Sequence, residues 1–220
     1  MNRLLLIAAS GLAREALAVE RALGRFARIR VLDDDPDLWG SSLDGEPVVG
    51  GLELVREDDD HRVLVCASKG PTRRAIVDRL TDMGVTHDRF ARTVHPDVDI
   101  PPGCSVGAGS ILLAGVVLTA NVRMGNHVVV MPNVSLTHDD MVADFATICA
   151  GVALGGGVHV GSGAYLGMNS SVREGLSIGH DAVLGMGSVL LTELPAGQTW
   201  AGVPARPVEA IPVQKVRRDA

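Results

Sequence analysis

From Val94 onward the chain repeats with a period of six. Val94, Ile100, Val106, Leu112, Leu118, Met124, Val130, Leu136, Val142, Ile148, Leu154, Val160, Leu166, Val172, Ile178, Leu184 and Leu190 are all aliphatic or Met. Four residues after each, the chain mostly places Val or a small residue: Cys104, Ser110, Val116, Val122, Val128, Val134, Ala146, Val152, Val158, Ala164. Asp140 is the clearest exception. Glycine recurs one place after the aliphatic residue, at Gly107, Gly125, Gly155, Gly161, Gly167, Gly179 and Gly185. A sustained short period is the signature of a stacked array. Three hexads can close one triangular coil, with aliphatic residues inside and small ones at the corners. Coils then stack at a strand spacing of about 4.8 Å, and no break in register leaves room for a long inserted loop.

Before the repeat, the pattern alternates between strand and helix. Leu4-Leu5-Leu6-Ile7-Ala8 reads as a buried parallel strand. Leu12 to Leu23 reads as a helix with apolar Leu12, Ala16, Leu17 and Leu23. Arg28–Leu32 and 62–67 read as two more strands, and Pro71 opens a second helix that runs toward Gly84. That order suggests a small Rossmann-like α/β unit. The division expected is 1–93 for this unit, 94–190 for the β-helix and 191–220 for a closing segment and tail.

Two loops of the first unit are placed for ligands. Ser10-Gly11 joins the first strand to the first helix, where backbone amides can meet a phosphate. Asp33-Asp34 follows the second strand at its C-terminal end, where open α/β sheets bind ligands. The complete dinucleotide fingerprint is missing, because Ala8 and Ala13 stand where glycine would be needed.

Composition removes other classes. Of 220 residues, 46% are hydrophobic but only 3% aromatic, so the core is built from Val, Leu, Ile and Ala. The net charge of −6 leaves no basic footprint for nucleic acid. No apolar run approaches the roughly 18 residues of a membrane span. The first residues lead into a helical pattern instead of a signal cleavage site. Cys66, Cys104 and Cys149 are odd in number and widely spaced, which fits a reducing cytoplasm and excludes a disulfide framework.

The repeat and the tail together resemble a known family. Gly202-Val203-Pro204-Ala205-Arg206 matches the G-x-P-A-[K/R] element that closes the left-handed β-helix of hexapeptide acyltransferases. Over nearly the whole chain the resemblance is to the bacterial sugar O/N-acyltransferases (the NeuD/PglD-like group). It rests on Ala8-Ala9-Ser10-Gly11, Val31-Leu32-Asp33-Asp34, Arg73, Leu136-Thr137-His138-Asp139 and Leu166-Gly167-Met168-Asn169-Ser170-Ser171-Val172. This likeness implies an acetyltransferase that works as a homotrimer, with acetyl-CoA between adjacent β-helices. It also implies a nucleotide-linked, UDP-type amino sugar held by the first unit.

By that resemblance, Ser10, Gly11, Leu12, Asp33, Asp34 and Ser68 line the nucleotide-sugar site. Thr147, Gly156, Met168, Met186, Pro204, Ala205 and Arg206 would meet acetyl-CoA. Lys215, Arg217 and Arg218 read as a solvated basic tail. The chain departs from the family at Ala8, where glycine is usual. It departs again at Ser68-Lys69-Gly70, and at Thr147, where a second histidine is often found.

Acetyl transfer from a thioester needs a base to take the acceptor's proton, and histidine titrates near working pH. His138 is the third residue of its hexad and can lie outside the coil. A nearby carboxylate stabilises the imidazolium that forms. Both Asp139 and Asp140 adjoin it. The resemblance favours Asp139, which can serve only if the backbone turns there, since neighbours in a flat strand face opposite ways.

Other functions are open to this sequence. The acceptor could be a hydroxyl of sialic acid or a related sugar, giving O-acetylation. The trimer could be a non-catalytic scaffold. A zinc centre needs convergent histidines, but among His127, His138, His159 and His180 only His127 and His180 share a face at the 18-residue period, three coils apart. No metal is expected.

Overall fold

The computed structural model describes residues 2–57 and 60–208. The first unit contains β1 (Arg3–Ile7), α1 (Gly11–Leu23), β2 (Arg28–Leu32), β3 (Ser42–Leu43), β4 (Glu46–Gly50), β5 (His61–Val65) and α2 (Gly70–Asp82). Its sheet runs β3-β4-β2-β1-β5. β4, β2, β1 and β5 are parallel, and β3 turns back antiparallel on β4. The stretch between β2 and β5, expected as a loop, therefore holds a hairpin. Its turn is Asp44-Gly45, both with positive φ, as a two-residue hairpin turn requires.

Local chemistry sets the helix limits. The Ser10 hydroxyl caps α1 by accepting from Ala13 N at 3.1 Å, and left-handed Gly24 ends it. One face of the sheet packs on α1 through Leu4, Leu6, Val31 and Leu64. The other packs on α2 through Leu5, Ile7, Val63 and Val65.

The repeat forms a parallel β-helix of two-residue strands on three faces. The first face carries Ser105–Val106, Arg123–Met124, Met141–Val142, His159–Val160 and Ser177–Ile178. The second starts at Thr93–Val94 and continues through Ile111–Leu112, Val129–Val130, Thr147–Ile148, Tyr165–Leu166 and Val183–Leu184. The third carries Val117–Leu118, Ser135–Leu136, Ala153–Leu154, Ser171–Val172 and Val189–Leu190. The second residue of each strand is the periodic aliphatic one, and these side chains stack in a single core.

Every sixth residue from position 103 to 187 has a positive φ, fifteen in all. Each marks a corner of the triangle. Glycine fills eight of these positions. Asn121, His127, Asn133, Asp139, Phe145, Asn169 and Asp181 fill the rest. Thr199–Gly202 continues the second face and pairs antiparallel with Ala205–Pro207, so buried Ala205 and half-buried Trp200 close the end of the core.

The α/β unit docks on the second face and on the corner between the first and second faces. Gly70 lies so close that a Cβ there would come 2.3 Å from Phe145 O. Arg73 is fully buried in the seam. Its guanidinium donates to Ala67 O (2.6 Å), His127 O (2.7 Å), Phe145 O (2.8 Å) and Ala146 O (3.0 Å). Backbone carbonyls replace water around this charge, and burial lowers its pKa to about 10. A second tie joins Glu20 of α1 to Arg25 and to the Thr93 hydroxyl (2.6 Å).

Candidate active site

His138 stands on the corner between the third and first faces, with 69% of its side chain exposed. Its Nδ1 lies 3.0 Å from Asp139 Oδ2. A carboxylate only accepts, so Nδ1 carries the proton, and in the neutral imidazole Nε2 keeps a lone pair. Asp139 reaches the ring because it occupies a left-handed corner (φ 63°), which is the turn that the sequence argument required. Asn121, one coil earlier at the same corner position, donates from Nδ2 to Asp139 Oδ1 at 3.2 Å. The bonds from His138 and Asn121 hold the Asp139 carboxyl below its usual range. Asn121 was not among the expected residues. The 18-residue spacing that stacks coils was the signal that could have found it.

Asp140 does something different. It is fully buried and accepts from Thr137 N (2.7 Å) and Val158 N (2.9 Å). These bonds brace the turn that presents His138. Burial, opposed by the two backbone bonds, raises the Asp140 pKa to about 6. On the next coil, Gly156 lies against the imidazole, and a Cβ there would come 2.3 Å from His138 Nε2.

The loops of the α/β unit gather at the C-terminal ends of its strands. The Ser10 hydroxyl donates to Cys66 O (2.7 Å). Asp33 Oδ2 accepts from Ala9 N (2.7 Å). Asp34 is bound by Arg79 (2.6 Å) and by Leu52 N (3.2 Å), and the Arg79 bond lowers its pKa. Gly11 opens α1 with clear space where a side chain would be, and the first turn carries no acid. Ser68 O accepts from the Thr147 hydroxyl (2.8 Å), so this edge of the sheet rests on the second face.

Two expected contact residues need correcting. The Leu12 side chain is buried in the core under α1, which leaves only its backbone to a ligand. Thr147 is fully buried between Arg73 (3.2 Å) and Ser68 O. Its hydroxyl serves the seam, because that strand lies directly under the docked unit. His127 is also in the seam, stacked on Phe145 at 5.2 Å and edge-on to Phe90 at 4.6 Å. His180, by contrast, is exposed beside Asp181. No group of three His, Cys, Asp or Glu among the described residues could hold a metal.

No family model matches the chain. Solved structures do. The acetyltransferase domain of PglB from Neisseria gonorrhoeae, in complex with acetyl coenzyme A, aligns with a TM-score of 0.86 at 26% identity. The match covers 94% of this chain and 100% of that one. Perosamine N-acetyltransferase from Caulobacter crescentus was solved as a histidine-to-asparagine variant with CoA and GDP-perosamine. It aligns with a TM-score of 0.88 at 27% identity, over 96% of this chain and 98% of that one. A UDP-3-O-acylglucosamine N-acyltransferase of Caulobacter sp. is 32% identical over 116 residues, 51% of this chain and 32% of that protein.

The chain is an enzyme of the acyltransferase class, similar to hexapeptide-repeat acetyltransferases. Its β-helix is of the left-handed acyltransferase kind. In this acyltransferase Met168 and Met186 sit one coil apart at the corner between the second and third faces, both exposed. They are near the end closed by Ala205, whose side chain is buried in the cap. Pro204 and Arg206 flank it. Lys215, Arg217 and Arg218 lie outside the described residues. No helix among the described residues is long and apolar enough to cross a membrane.

Proposed function

We propose that this acyltransferase moves an acetyl group from acetyl-CoA to the amino group of a nucleotide-linked amino sugar, with His138 as general base. The observation that carries the reading is the His138–Asp139–Asn121 chain: an exposed imidazole with Nδ1 held and Nε2 free. The relative that carries GDP-perosamine and CoA supports the substrate class.

In the step proposed, the sugar amine attacks the thioester carbonyl, and its proton passes to Nε2. Asp139 stabilises the imidazolium. As the C–S bond breaks, the proton returns to the leaving thiolate, so free CoA and the amide are the products. The nucleotide would lie on the Rossmann-like unit, with its phosphates at the amides of Gly11 and Leu12. Ser10, Asp33, Asp34 and Ser68 shape that cup. Gly156, Met168, Met186, Pro204 and Arg206 are the proposed contacts of acetyl-CoA.

These parts occupy three different corners of one β-helix. The base is at the corner between the third and first faces, the methionines at the next, and the docked unit at the remaining one. A homotrimer would bring one copy's His138 to a neighbour's sugar cup, with acetyl-CoA between them.

The test is thiol release from acetyl-CoA with UDP-, dTDP- and GDP-linked amino sugars and with sialic acid, in wild type and His138→Ala. Release with an amino sugar, lost in the variant, is expected. Release with sialic acid alone would mean O-acetylation. Full release in His138→Ala would refute the base, and absence of CoA binding would favour a scaffold.

A further inference from the structure

Trp39 is the largest exposed apolar side chain beside the sugar cup, with 47% of its surface open. It belongs to none of the three core clusters, while its neighbour Leu38 packs onto one of them. The ring is nevertheless fixed, because Nε1 donates to Asp33 O at 2.8 Å. The Asp33 carboxylate in turn holds Ala9 N, in the turn that leads into α1. Two hydrogen bonds therefore connect the indole to the turn that leads into the helix terminus proposed to receive phosphate.

An aromatic ring kept out of the core and tethered by its polar edge offers a flat, preorganised face. Preorganisation reduces the ordering cost of binding, and stacking on such a face suits any nucleobase. The loop that carries Trp39 also narrows the base. Asp35 Oδ1 accepts from Asp37 N, and both residues are exposed. Carboxylates match a base edge rich in N–H donors. Guanine presents N1–H and the 2-amino group together, whereas uracil flanks its single N–H with carbonyls that carboxylates repel. A bicyclic base also covers more of the indole.

We propose that Trp39 is the stacking platform for the nucleobase of the sugar nucleotide, and that the base it takes is guanine. The proposal rests on the acetyltransferase reading and would replace the UDP-type nucleotide expected from the family resemblance.

Calorimetric titration of the full chain with GDP and with UDP tests it without any turnover. GDP should bind the wild type more tightly than UDP. Trp39→Ala should weaken GDP by about tenfold or more and narrow the gap between the two nucleotides. Trp39→Phe, which keeps a ring, should recover most of the affinity. GDP binding unchanged in Trp39→Ala would overturn the platform while leaving the acetyltransferase reading intact. A wild-type preference for UDP would overturn the base assignment. Binding of neither nucleotide would remove the nucleotide-sugar reading and this proposal with it.

Discussion

Gly156 lies directly against His138, one coil away at the same corner position. A Cβ at 156 would sit 2.3 Å from Nε2 and 2.4 Å from Cε1 of the imidazole. The ring holds its place because that residue has no side chain. Gly156→Ala should push the imidazole aside without disturbing the stacked core. Displacing a reacting group by an ångström can cost about a hundredfold in rate. We expect a loss of kcat of that order, with an unchanged melting temperature, measured by steady-state kinetics and thermal unfolding.

Asn121 orients Asp139, and Asp139 orients His138. Asn121→Ala leaves the Asp139 carboxylate free to rotate away from Nδ1. The rate should fall roughly tenfold, less than in His138→Ala, with little change in KM for acetyl-CoA. If Asn121→Ala matches wild type across the pH profile, the relay has no role.

Ala8 adopts φ 78° in the turn between β1 and α1. A left-handed conformation costs a residue with a Cβ about 1–2 kcal/mol, part of which glycine forfeits in unfolded-state entropy. Ala8→Gly should therefore stabilise the α/β unit by roughly 1 kcal/mol, read from the urea midpoint. This is also the physical reason why glycine is usual at that place in the family.

His127 and Asp140 pull stability in opposite directions as pH changes. Burial holds His127 down to about 4 from 6.5. Its unfolded form binds the extra proton, so its contribution is lost as pH falls from 6.5 toward 4. Burial lifts Asp140 to about 6 from 3.8. Its contribution is full below the unfolded value and is lost as pH rises through 6. Each shift is worth on the order of 3 kcal/mol, so the two largely offset each other between pH 4 and 6.

Single variants should expose each one. In His127→Asn, chosen because asparagine tolerates the left-handed corner, stability should fall as pH rises from 4 to 6. In Asp140→Ala it should rise over the same range. Near pH 4, Asp140→Ala should also be less stable by about 1–3 kcal/mol, since two backbone amides lose their acceptor, and this deficit should shrink toward neutral pH. Denaturant titrations at a series of pH values check all of this, and parallel curves for wild type and both variants would refute it.

Much of this protein was legible along the chain. The six-residue period revealed a stacked core, because the periodic aliphatic side chain of each hexad and the Val or small residue four places on both turn inward. The strand–helix alternation located β1, α1, β2, β5 and α2, since apolar runs and Gly or Pro punctuation mark them. The Asp44-Gly45 hairpin signal was present but sat in a stretch too short and polar to read as sheet.

The corners were decided elsewhere. Whether Asp139 or Asp140 serves His138 depends on a backbone torsion, and adjacent carboxylates look alike in a string of letters. The left-handed corner turns Asp139 outward to the imidazole, and coil stacking buries Asp140 against two amides. Thr147 reads as an exposed strand residue until the α/β unit covers it. Sequence by itself determined the repeat, the core and the exposed histidine, because these follow from local periodicity. Only the tertiary structure decided which groups meet across the seam. Arg73 and Phe145 become neighbours through the docking of the α/β unit, which no local pattern encodes.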